Sequence, residues 1–124
     1  MADGLEAAAT ASGTLTAMTT IAVLGGTGPQ GKGLAARWAV SGLDVVLGSR
    51  DPHRAQTAAD EIGVRGAGNF DAASQADLVL VAVPYDGHAA TIAEVAPAVA
   101  GKILIDCVNP LGFDKQGAFP IAVP

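Results

Sequence analysis

At 124 residues the chain has the length of one domain, and a chain this size buries roughly two-thirds of the surface its unfolded form exposes. Half of the residues are apolar but only 4% are aromatic, so the core has to be built from Ala, Val, Leu and Ile. A net charge of −5 excludes general nucleic-acid binding, which needs a basic surface to displace counterions; a small anionic ligand in a local cationic pocket stays open. The single cysteine, Cys107, permits no internal disulfide and points to the cytoplasm, and no apolar run approaches the ~18 residues of a membrane span.

Residues 1–17 are rich in Ala, Thr, Ser and Gly and carry no Lys or Arg, so they lack the cationic start of a secretory signal. They read as a disordered leader, with Met18 opening a folded domain over residues 18–124. Thr20–Leu24 (TIAVL) is the first predicted strand, near-continuously apolar as a parallel strand buried on both faces should be. A helix over Gln30–Val40 follows, with Gly31, Ala35 and Trp38 on one side, and Ser41-Gly42 ends it.

Asp44–Gly48 is the second strand, and Asp51-Pro52 starts a helix that runs to about Ile62. Val64–Ala67 is a weak third strand, and Asp71–Ala76 a short helix. Leu78–Val83 (LVLVAV) is the clearest strand of the chain. A helix over Gly87–Ala100 is expected to bend or restart at Pro97, and Lys102–Asp106 is the fifth strand, followed by a loop at Cys107–Gly112. Strands alternating with helices at short intervals give a parallel, right-handed α/β sheet. The apolar end Ile121–Pro124 has no terminating element, so the chain reads as truncated.

Gly26-Thr27-Gly28-Pro29-Gln30-Gly31 satisfies G-x-G-x-x-G between a strand and a helix, the context a dinucleotide-binding turn requires. The first glycine permits the sharp turn, the second lets backbone approach a pyrophosphate, and the third lets helix and strand pack closely. The phosphates then sit at a helix N-terminus, where free N–H groups and the helix dipole favour negative charge. Gly26 to Lys32 also fits the start of a nucleoside-triphosphate loop, but Gly33 stands where that motif needs Ser or Thr for magnesium.

An NAD-specific domain carries Asp or Glu at the end of its second strand for the ribose 2′-hydroxyl. Here the strand ends Leu47-Gly48-Ser49-Arg50, and Asp51 comes one step late at a helix start. Ser49 can donate to a 2′-phosphate and Arg50 can grip it with a charged fork, so the cofactor read from these residues is NADP(H). His53 and Arg54 add nearby positive charge or a solvated helix face.

Met18–Arg50, with its G-G-T-G-x-x-G turn and G-S-R after the second strand, closely resembles the start of the NADPH-dependent reductases of the deazaflavin coenzyme F420 (8-hydroxy-5-deazaflavin:NADPH oxidoreductases). Val83-Pro84 followed by the aromatic Tyr85, and the loop Val108-Asn109-Pro110-Leu111, fit the same family, and the resemblance covers nearly all of Met18–Pro124. It implies a Rossmann-type sheet of order 3-2-1-4-5 with helices on both faces, and hydride transfer between NADP(H) and F420. By it Thr27, Ser49 and Arg50 hold the 2′-phosphate, while Gly28, Pro29, Gln30, Ala82, Val83 and Pro84 line the pyrophosphate and nicotinamide. With Gly26, Gly31 and Tyr85 these make up the expected cofactor site, and no catalytic side chain or metal is assigned. The family's second, largely helical region, which completes the deazaflavin site and the dimer, has no counterpart in these residues.

Three residues are left without a firm role. His88 follows Tyr85 by one position more than the family usually has, and lines the cofactor groove or stands exposed at a helix start. Asp106, at the carboxyl end of the fifth strand, reads as a loop cap, and Cys107 as a buried thiol. The competing functions are a different NADPH-dependent reductase of ferric or imine type, and a non-catalytic NADP-binding module.

Overall fold

The computed structural model describes residues 19–123, so the expected leader and Met18 lie outside the described residues. The elements follow in the order β1 (Thr20–Leu24), α1 (Pro29–Val40), β2 (Asp44–Ser49), α2 (Pro52–Ile62), β3 (Arg65–Gly68), α3 (Asn69–Gln75), β4 (Leu78–Val81), α4 (Tyr85–Val99) and β5 (Ile103–Asp106). They form a five-stranded sheet of order β3-β2-β1-β4-β5 in which every neighbouring pair is parallel. This is the expected Rossmann-type topology. The order reverses between β1 and β4, which places the switch point beside the glycine turn.

Side chains alternate across a strand, so each apolar run feeds two cores. Ile21, Val23, Val45, Leu47, Leu78 and Leu80 pack on one face with Ala35 of α1 and Ala58 and Ala59 of α2. Ala22, Leu24, Val46, Val79 and Val81 pack on the other with Ala72, Ala73 and Ala76 of the α3 region and Val95 of α4. Alanines face the sheet because a short side chain lets a helix sit close to it. Trp38 fills the space at the far end of α1, as its position predicts.

Several boundaries differ from the sequence reading. Helix α1 starts one residue early, at Pro29, because proline suits the first turn of a helix. Ser49 still belongs to β2, and β3 and α3 each begin away from their expected residues, at Arg65 and Asn69. Strand β4 ends at Val81, so Ala82 and Val83 belong to the loop that leads to the site rather than to the strand. Helix α4 starts at Tyr85 and is continuous through Pro97, whose missing N–H falls in the last turn, where it interrupts little.

The chain after β5 also differs. Leu111–Asp114 and Gly117–Pro120 pair as an antiparallel hairpin, β6 and β7, with Asp114 Oδ1 accepting from Gln116 N at 2.8 Å across the turn. The expected loop at Cys107–Gly112 therefore ends at Pro110; Leu111 and Phe113 do alternate with Gly112 and Asp114, but over four residues only, and GAFP does not alternate. Strand β5 is exposed along its whole length: Ile103 and Ile105, which continue the face of Leu78 and Leu80, are 64% and 41% accessible.

Leu47 ties this core to the glycine turn. It is fully buried, and its Cδ2 lies 2.6 Å from where a Cβ on Gly26 would stand. Leu47→Ala is expected to cost about 2–5 kcal/mol in urea unfolding, the range for a leucine-to-alanine cavity.

Candidate functional site

The loops after β1, β2, β4 and β5 all emerge at the carboxyl edge of the sheet, and the residues expected to bind a dinucleotide lie on the first three. Gly25 leaves β1 at φ +76°, a left-handed conformation suited to glycine, and a Cβ there would stand 2.8 Å from Val83 Cγ1. The amides of Gly25 and Gly26 both donate to the Gly48 carbonyl at 3.1 Å, binding the turn to β2. Gly31 packs against the same turn, since a Cβ on it would lie 2.9 Å from the Gly25 carbonyl oxygen.

Gly28 is different. A Cβ there would meet only the Gly25 carbonyl oxygen, at an ordinary 3.6 Å, and its φ of −80° suits any residue. Nothing in the fold requires a glycine at this position, which leaves open backbone beside the turn. Gly28 also caps α1 without a side-chain hydrogen bond, and the first turn of α1 contains no acidic residue. The positive end of the α1 dipole therefore has no side-chain cap and no first-turn carboxylate to neutralise it. Gly28→Ala should leave Tm unchanged yet weaken NADPH by about 1–3 kcal/mol in a fluorescence titration, the usual cost of overpacking.

At the end of β2 the acid and the base have separate tasks. Asp51 Oδ1 accepts from His53 N at 2.9 Å and caps α2, so its carboxylate is engaged by its own helix. Ser49 is 92% buried by its 8% accessibility, and its Oγ accepts from Asp51 N at 3.2 Å, which leaves the hydroxyl hydrogen free to donate. Arg50 is exposed and forms no ion pair among the described residues. His53 and Arg54 are exposed in the first turn of α2. Lys32, the lysine of the rejected triphosphate motif, pairs with Glu61 and joins α1 to α2.

Beyond β4, Ala82 N donates to Leu24 O at 2.9 Å, and Ala82 and Val83 are half-buried against the glycine turn. Pro84 is exposed and Tyr85, half-buried, opens α4. Just past β5 Cys107 Sγ donates to Val81 O at 3.2 Å, and the thiol expected to be buried is only half-buried, because β5 is the exposed edge strand.

A family model described as NADP oxidoreductase coenzyme F420-dependent matches residues 20–110. The chain belongs to this family. It is 46% identical over 100 residues to the F420-dependent NADP reductase of Methanothermobacter thermautotrophicus, covering 73% of this chain and 43% of that one. The F420-dependent NADP reductase of Methanothermobacter marburgensis is 44% identical over 100 residues, with 73% and 45% covered. The chain thus spans less than half the length of either relative. Among solved structures, a pyrroline-5-carboxylate reductase from Coxiella burnetii matches 74% of this chain and 36% of its own with a TM-score of 0.65 at 17% identity, a likeness of fold alone.

In this member of the family one contact was not foreseen from the sequence. His88 Nε2 lies 2.6 Å from Asp106 Oδ2, while Asp106 Oδ1 accepts from Val108 N at 3.0 Å. Asp106 is the loop cap the sequence suggests, with a histidine added. A separation of eighteen positions hides the pair, although the start of α4 and the end of β5 both lie at the carboxyl edge of the sheet. Asn69 is a second missed feature: it is 1% accessible against Gly48, and its Oδ1 has no partner.

The Val108 amide, together with the hydrogen bond and charge of His88, holds the Asp106 carboxyl below its ordinary pKa against the opposing effect of burial. A lowered carboxylate pKa stabilises the fold above the unfolded value, and that stabilisation is lost as pH falls through the native value. The Tm advantage of the natural chain over Asp106→Asn should therefore be present at about pH 6 and close below about pH 3.

Proposed function

We propose that this chain is the NADP(H)-binding part of an oxidoreductase that exchanges hydride with the deazaflavin coenzyme F420. The observation that carries the nucleotide half is the division of labour after β2: Asp51 is taken up as a helix cap while Ser49 and Arg50 stand with free donors. A carboxylate turned to the ribose would favour NAD, and an unpaired guanidinium beside a free hydroxyl favours the extra phosphate of NADP. The printed names of the two relatives, both F420-dependent NADP reductases, support the second substrate.

The donor set fits the cofactor. Thr27, Ser49 and Arg50 would hold the 2′-phosphate, and Gly26, Gly28, Pro29, Gln30 and Gly31 would border the pyrophosphate. Ala82, Val83, Pro84 and Tyr85 would line the nicotinamide. When bound, NADPH supplies a hydride from nicotinamide C4, accepted at C5 of the deazaflavin. For such chemistry the protein contributes position more than reactivity, and the shelf of backbone from Gly25 to Val83 is built for position. The protein is read as cytoplasmic, with small-molecule partners rather than nucleic acid or membrane, and as a homodimer in any longer form. Among the described residues no helix is long and apolar enough to cross a membrane.

Titration of the chain with NADPH and NADH tests the nucleotide half. Arg50→Ala should weaken NADPH roughly ten- to a hundredfold, the worth of a charge-assisted hydrogen bond, and NADH far less. Equal losses would refute the assignment. Mixing NADPH with oxidised F420 tests the rest: the visible absorbance of the deazaflavin should fall. Tight NADPH binding with no such loss would remove hydride transfer and leave a non-catalytic binding module.

A further inference from the structure

Along the carboxyl edge the strands follow one another as β2, β1, β4 and β5. On the reading just given, the 2′-phosphate belongs at the end of β2 and the pyrophosphate at the end of β1. An extended dinucleotide that continues in this direction carries its nicotinamide half over the ends of β4 and β5. At about 4.8 Å per strand, that end lies roughly 10 to 14 Å from Ser49.

Two loops border this region, Ala82–Pro84 after β4 and Cys107–Pro110 after β5. Their roots are fixed by backbone bonds, Ala82 N to Leu24 O and Cys107 N to Val81 O at 3.3 Å. Past those roots Val83 and Val108 pack on a common core, and Asp106 adds a polar tie between the two loops. One of its oxygens holds the Val108 amide at the start of the second loop, and the other holds His88 in the first turns of α4, just after the first loop ends at Pro84. A single carboxylate therefore spans the mouth of the region.

The pair contributes little to the fold as a whole. Its side chains are 28% and 43% accessible, and partly exposed ion pairs add only fractions of a kcal/mol. Its effect on geometry is larger, because displacing either loop by a fraction of an ångström misplaces a ring that must meet an acceptor face to face. We propose that the His88–Asp106 pair is a latch that positions the nicotinamide half of NADP(H). The proposal rests on the nucleotide reading above and assigns both residues a positioning role, without contact to the reacting atoms.

The test compares NADP+ with 2′,5′-adenosine diphosphate, which retains the 2′-phosphate but has no nicotinamide, by calorimetric titration of the 124-residue chain. His88→Ala and Asp106→Asn should each weaken NADP+ roughly three- to tenfold, a charged hydrogen bond discounted for exposure. Both should leave the adenosine ligand within about twofold, which also certifies that the variants are folded. The double variant should lose no more than the larger single loss, as expected for two residues acting as one unit.

Equal weakening of the two ligands would reduce the pair to general stability and overturn the proposal. So would unchanged NADP+ affinity in both single variants, with the nucleotide reading intact. A natural chain that binds neither ligand would remove that reading and this inference together.

Discussion

The carbonyl of Gly48 accepts two amides at 3.1 Å, those of Gly25 and Gly26, and through them the glycine turn is attached to the end of β2. Most of the candidate site follows from that attachment. It fixes where α1 begins and so where the free first-turn amides point. It also sets the distance from those amides to Ser49 and Arg50, which follow Gly48 directly. A carbonyl with two lone pairs can take both donors without strain, and the small residues around it keep the space clear. Leu47 presses on Gly26 from one side of β2, while Asn69 and Leu24 close on Gly48 from the other. Packing in both cores therefore reaches the ligand edge through two consecutive residues of one strand.

An acidic protein that is to hold an anion needs its carboxylates occupied elsewhere. Asp51 caps α2, Glu61 engages Lys32, Asp44 takes Thr20 and Arg65 at the opposite edge of the sheet, and Asp106 holds His88 and Val108. With these groups engaged, the local field after β1 and β2 is set by uncapped amides and an unpaired guanidinium, although the net charge is −5. The local field follows from which charges are left free, and the total says little about it.

The alternation of strands and helices and the place of the glycine turn were legible in the sequence because each rests on local signals, apolar runs four to six long and glycines at fixed spacing; the sheet order β3-β2-β1-β4-β5 came from the family resemblance and is the order observed. The end of β4 was misread because Ala82 and Val83 are as apolar as the strand before them. They turn away to pack on Gly25, and no composition reports that. Pro97 was given too much weight, since its place in the last turn of α4 matters more than its identity. The His88–Asp106 pair is a product of topology: only after β4 and β5 are paired does the helix between them bring its first turns to the end of β5. The hairpin had only a four-residue alternation in Leu111–Asp114 to mark it, and its cross-strand fit of Phe119 over Gly112 is a tertiary fact.

Strand β5 has a consequence for how the polypeptide behaves at high concentration. Its outer edge offers unpaired backbone donors and acceptors beside exposed Ile103, Leu104 and Ile105, the combination that templates strand addition between molecules. Lys102 and Asp106, which flank the apolar triplet, are drawn inward to the carbonyls of Ala73 and Ser74 and to His88 and Val108. The charges that would act as gatekeepers against cross-β association are thus partly withdrawn into internal bonds. The rim of the sheet at β5, away from the glycine turn, is therefore one place where copies of this chain would associate.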